Sequence, residues 1–163
     1  MKALLNGIQK ILEILTIISI GLMLALIFCQ VITRYCFGYT PVFSEELARY
    51  LFVWTVFLSI PLLARKGGHM AIETVTSRLH GASLKTFNII ADLLTILFMG
   101  LMTWHGVKMV MLAHFQTSPA MMIHMSYVYV VIPVGCFVML LYTIENLVKV
   151  LQTPASEMGK KED

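Results

Sequence analysis

ILEILTIISIGLMLALIFCQVIT, residues 11–33, decides the class of fold: Glu13 is its one charged residue. At about 1.5 Å per residue the run reaches across roughly 30 Å of hydrocarbon. A cleaved signal peptide has a shorter apolar region and then a small-residue cleavage site, whereas this run continues through Leu24, Leu26, Ile27 and Phe28 into Gln30 and Arg34. An uncleaved transmembrane helix is predicted. Three further apolar blocks, at about 46–64, 84–104 and 127–147, have the same character. The composition agrees: of 163 residues, 58% are hydrophobic and 13% charged, against about 25% charged in an ordinary soluble domain. The expectation is an all-α integral membrane protein with four transmembrane helices in one domain over residues 1–153. Residues 154–163 are expected to form a disordered cytoplasmic tail.

The charges report topology. Counting Lys and Arg by side gives nine with the N-terminus inside (Lys2, Lys10, Arg65, Lys66, Arg78, Lys85, Lys149, Lys160, Lys161) and three outside (Arg34, Arg49, Lys108). Because cytoplasmic connectors retain positive charge, both termini are predicted to face the cytoplasm. No basic patch stands apart from the apolar blocks, so nucleic-acid binding has no footprint. Between the second and third spans, Ile72, Val75 and Leu79 recur on one side of a short segment. A short amphipathic helix on the inner surface suits them, with Arg65, Lys66 and Arg78 towards anionic lipid headgroups; a partly ordered loop is the alternative.

Polar residues inside the apolar blocks are the candidates for a role. Gly21, Ala25 and Cys29 recur every four residues, a small-residue face suited to close helix packing. Gln30 beside them needs partners, as helix-bundle glue or, less simply, as a solute contact. Arg34, Glu45, Glu46 and Arg49 form the densest charge cluster, read as a structural clamp at the outer rim, with a transported-ion site as the alternative; Glu45 and Arg49 are an i, i+4 pair, and Arg34 reaches the same carboxylates if the first two spans are adjacent. Thr40 and Pro41 offer an N-cap and a first-turn proline. Asp92 reads as a hydrogen-bonded structural carboxylate, or alternatively as a proton or sodium relay. Pro133 removes a backbone donor and predicts a kink. The histidines lack metal-ligand spacing, no C-x-x-C pair exists, and no nucleophile triad or phosphate loop is present. No enzyme activity, metal or cofactor site is expected in this chain.

Three stretches together resemble the small membrane (Q) subunit of tripartite ATP-independent periplasmic (TRAP) transporters. Gln30, Val31, Arg34 and Tyr35, followed by Glu45, Glu46, Ala48 and Arg49, are similar to the family's Q-V-x-x-R-Y and W-x-E-E-x-A-R patterns, with Phe43 at the tryptophan position. Arg65, Gly68, His69 and Glu73 resemble its basic-glycine-histidine connector, and Ser118, Pro119, Ala120, Tyr129, Pro133 and Gly135 its later part. His124 and Ser126 stand where proline and tryptophan are usual. The resemblance implies a multi-pass protein of the bacterial inner membrane that scaffolds a large TRAP membrane subunit as a heterodimer. That partner would carry the sodium and substrate sites and work by elevator-type alternating access. A periplasmic substrate-binding protein and membrane lipids are the other implied partners, and sialic acid or a C4-dicarboxylate the implied organic acid. Two alternatives from the residues alone are a self-contained four-span exporter and a haem-binding electron-transfer subunit.

Overall fold

The computed structural model describes residues 2–65 and 82–152. Helix α1, Lys2–Phe37, contains the first apolar block. It stops at Gly38, whose φ of +64° is the left-handed conformation that only glycine adopts at no cost, and the Gly38 N–H caps the Arg34 carbonyl at 3.1 Å. Helix α2, Val42–Arg65, follows at once. Pro41 stands just before it rather than in its first turn; its carbonyl accepts from both the Ser44 N–H (3.1 Å) and the Ser44 hydroxyl (2.7 Å).

Helix α3 is Ala82–Ala113. After an eleven-residue connection come the short helix α4, Met125–Tyr129, and α5, Val131–Gln152. The break between α4 and α5 falls at Val130, within a turn of Pro133, which has no N–H to offer the Tyr129 carbonyl. α1, α2, α3 and the α4–α5 segment are long and apolar enough to cross a membrane. Each extends beyond its hydropathy block: α1 and α3, at roughly 54 and 48 Å, exceed the hydrocarbon thickness and must tilt or protrude. Hydropathy finds the part of a helix in lipid, whereas capping and backbone bonding set its ends.

The helices form a row rather than a closed bundle. α1 packs on α2, α2 on α5, and α5 on α3. The core is correspondingly small, built on Leu12, Leu58, Leu62, Val131, Val138 and Tyr142. Two glycines allow the close approaches: Gly106 of α3 sits against Pro133, 3.3 Å from where its Cβ would be, and Gly135 of α5 sits against the Phe57 carbonyl of α2. Along the edges, α1 and α3 turn large apolar side chains outward, among them Ile17, Phe28, Leu97 and Leu112.

At the end of the row that carries the chain's N-terminus, Arg65 corrects one expectation. It does not reach out towards headgroups: its guanidinium donates to the Leu5 carbonyl (2.6 Å) and to Asn6 Oδ1, and lies over the Tyr142 ring at 5.1 Å. The Tyr142 hydroxyl donates to the same Leu5 carbonyl at 3.3 Å. A guanidinium carries five donors and a flat face, so Arg65 takes a backbone carbonyl, an amide oxygen and a ring face at once and ties α1, α2 and α5 together. Lys66, Arg78 and the expected surface helix through Ile72, Val75 and Leu79 lie outside the described residues, as does the 154–163 tail.

Candidate functional site

At the opposite end, where α1 meets α2, the charge cluster divides into one buried residue and three exposed ones. Glu46 is buried, while Arg34, Glu45 and Arg49 are exposed, and no ion pair joins these four among the described residues. Instead the Glu46 carboxylate accepts from the Tyr50 hydroxyl one turn on (2.5 Å) and from the backbone N–H groups of Ala120 and Met121 (3.0 and 3.1 Å). A carboxylate with three donors is firmly held, because each bond is charge-assisted.

The loop that Glu46 grips has its own internal order. Ser118, fully buried, donates its N–H to the Ile123 carbonyl (2.8 Å), accepts at its own carbonyl from Met122 (3.1 Å) and at its hydroxyl from the Met121 N–H (3.2 Å). Thr117 and His124 pair as an antiparallel bridge, and Met122 turns the chain at φ 55°. The loop is therefore a small hairpin that presents two adjacent N–H groups to α2. The Tyr50 hydroxyl also lies 3.4 Å from Met125 Sδ, which joins the start of α4 to the same contact. Outside this clasp lies a groove of about 510 Å³ walled by Tyr39, Val42, Phe43, Glu45, Arg49 and Pro119. It offers exposed charge of both signs and aromatic edges, a surface for a protein rather than an enclosed site for a small molecule.

Other candidates fall in different places. Gly21, Ala25 and Cys29 are exposed on α1, with nothing within 4 Å of a Cβ built on Gly21, so no described residue covers their face. Gln30 is half-buried with its Nε2 lacking a partner among the described residues, while its carbonyl accepts from Thr33 at 3.0 Å. Asp92 is buried in α3 and receives the Asn146 amide of α5 on both oxygens, at 3.3 and 3.0 Å. Glu13 accepts from Gln9 (2.9 Å), and Glu145 pairs with Lys149 (3.0 Å). The His114 and His124 rings stack face to face at 5.0 Å and 19°, an arrangement that does not aim two nitrogens at a shared iron.

Asp92 gives a direct test. Asn146 supplies neutral donors that an amide at position 92 still satisfies in part, so Asp92→Asn is expected to keep at least half of any transport activity of the assembled system and to leave its coupling-ion dependence unchanged. Loss of ion coupling in uptake assays with equal amounts of protein would place Asp92 in a relay.

Residues 23–153 match the family described as tripartite ATP-independent periplasmic transporters, DctQ component. A TRAP transporter small permease protein of Haemophilus influenzae is 28% identical over 122 residues, covering 75% of this chain and 74% of the relative. A second, from the same organism, is 32% identical over 97 residues, 60% of each chain. The isethionate TRAP transporter permease protein DctMQ of Oleidesulfovibrio alaskensis is 26% identical over 136 residues, 77% of this chain and 21% of that longer protein.

Proposed function

The chain belongs to the DctQ-component family of TRAP transporters, and from that premise we propose that it is the fixed membrane frame against which a larger transport subunit moves. It is a small permease component with four membrane-crossing helices; the family is a transporter component rather than an enzyme family. The observation that carries the proposal is the open row: α1 and α3 stand at its edges with apolar faces that no other described helix covers, and the small-residue stripe on α1 invites close approach. A self-sufficient carrier needs a polar path between its helices. Here the three buried acids of the described residues are held within the chain, Glu46 by loop N–H groups, Asp92 by Asn146 and Glu145 by Lys149.

The relative named DctMQ supports a large membrane partner, since this sequence aligns with about a fifth of it. On this reading the partner holds the sodium and substrate sites and moves as an elevator, and this chain holds no cofactor. The substrate is an organic anion, with sialic acid, a C4-dicarboxylate and, from that relative's name, isethionate within the class. On this reading the membrane is a bacterial inner membrane; the positive-inside count favours both termini in its cytoplasm, and the Glu46 groove then faces the periplasm and a substrate-binding protein. The self-contained exporter is not favoured, because Glu13, its best carboxylate, lies at the inner end of the apolar block 11–33 rather than midway along it, and accepts from Gln9 at 2.9 Å.

Co-expression with a large TRAP membrane subunit from the same genome tests the proposal. The two chains are expected to co-purify through a tag on either, and proteoliposomes with this chain alone are expected to show no uptake or export above empty vesicles. Transport by this chain alone would end the scaffold reading.

A further inference from the structure

On the large-subunit reading, on which this rests, we infer that α3 rather than α1 is the edge of the row that packs on the large membrane subunit, and that a helix of that partner sets an Asp or Glu against Lys108. Lys108 is exposed within an apolar face. Leu97, Leu101 and Trp104 are exposed before it and Leu112 after it, and the helix runs on from Lys108 to end only at Ala113. The ammonium therefore interrupts this face instead of closing it.

The contacts between helices give its depth. Gly106 of α3 meets Pro133, and Gly135, two residues further along α5, meets Phe57 of α2. Counted from those contacts at about 1.5 Å per residue, Lys108 stands about 10 Å inward of the level of Glu46 and about 18 Å outward of Arg65. A lysine at such a depth that served a headgroup would extend outward, past Met111 and Leu112. This one leans the other way, with its ammonium 5.1 Å from the ring of Trp104, one turn closer to the middle of α3.

The chain supplies no acid to Lys108. From Leu93 to Ile144 the sequence has no Asp or Glu. Asp92, about 24 Å back along the same helix, takes the Asn146 amide, and Glu46 is taken by the Ala120 and Met121 N–H groups. The acids outside the described residues belong to segments attached at the opposite ends of α3 and α5. His105, exposed on the same side three residues earlier, adds a second polar group to the patch.

A charged side chain within a span is kept where it meets protein or a water-filled cavity, because hydrocarbon offers it no partner. No described helix covers this face of α3, so the protein that meets it is another chain. A carboxylate there would take a charge-assisted bond from Lys108 and leave the aliphatic and indole surface around it to pack. The other edge has no comparable reason to leave lipid: α1 carries no formal charge from Ile14 to Thr33.

Co-purification of the full-length chain with a large TRAP membrane subunit from the same genome tests this, using Lys108→Met, Lys108→Arg and, in the unaltered background, a photocrosslinking amino acid in place of Leu101 or Phe28. Lys108→Met would suit a lipid-facing helix, but here it strips the partner's carboxylate of its counter-charge and is expected to cut recovery of the pair at least tenfold, with the helical content of the chain unchanged. Lys108→Arg is expected to keep more than half. The probe at 101 is expected to capture the large subunit and the probe at 28 is not. Amide substitution of the acid in the captured helix is expected to bring Lys108→Met back to within about threefold of the unaltered pair. Undiminished recovery of Lys108→Met, or capture of lipid or a second copy at 101, would overturn the inference while leaving the large-subunit reading in place. Failure of the unaltered chains to co-purify would end both.

Discussion

Glu46→Ala is expected to lower the melting temperature of the chain in detergent by about 10 °C and to abolish its co-purification with the large subunit. The truncation leaves the Ala120 N–H and the Tyr50 hydroxyl without their carboxylate acceptor and the Met121 N–H with the Ser118 hydroxyl alone. The loss of these bonds, two of them part-buried, is read directly as the shift in melting temperature, at about 2–4 °C per kcal/mol for a chain of this size. Glu46→Gln keeps one carbonyl oxygen for the loop and should fall about midway. Arg34→Ala is the control, because Arg34 is exposed and makes no ion pair among the described residues; its melting temperature should stay within about 2 °C of the unaltered chain. Light scattering or intrinsic fluorescence during a thermal ramp gives the first readout, and pull-down through the partner's tag the second. An unchanged melting temperature for Glu46→Ala would show that the loop holds itself, through the Ser118 bonds alone.

That prediction differs from what the charge pattern suggested, and the difference shows where reading a sequence stops. Glu46 itself was legible, as a carboxylate close to the apolar block. Its partners were not, because they are main-chain N–H groups 74 and 75 residues away, and every residue except proline carries one. Asp92 was similar: a search for a Lys or Arg overlooks Asn146, whose neutral amide sits 54 residues on. Arg65 read as a headgroup contact because an arginine at a helix end so often is one, but the carbonyl of Leu5 is 60 residues away in sequence and 2.6 Å away in space. The helices themselves were plain, since lipid demands long runs of apolar residues whatever the packing. For the same reason the order of the row was hidden: a span that is apolar all round does not declare which face meets protein.

What does declare it is the absence of side chains. Gly135→Ala is expected to part α2 from α5 and to lower the melting temperature as much as Glu46→Ala does. Pro61 lies inside α2 and has no N–H for the carbonyl four residues back, which is that of Phe57. That freed carbonyl meets α5 at Gly135, where an added Cβ would collide with its oxygen and come within 3.1 Å of its carbon. The obstacle is backbone on both sides, so no rotamer change relieves it; the helices must separate and reopen the core around Leu58 and Val138. Overpacking of this kind costs about 1–3 kcal/mol and sometimes more. Gly106→Ala is the graded comparison: its Cβ would meet Pro133 at 3.3 Å, a few tenths of an ångström that α3 can yield, and its shift should be less than half as large. Pro61→Ala in the Gly135→Ala background gives the decisive arm. If the freed carbonyl is what fills the glycine's place, restoring its N–H donor draws the oxygen back into α2 and recovers part of the lost stability. Equal melting temperatures for Gly135→Ala and Gly106→Ala, with no recovery in the double variant, would mean that α2 and α5 are not held together by this contact.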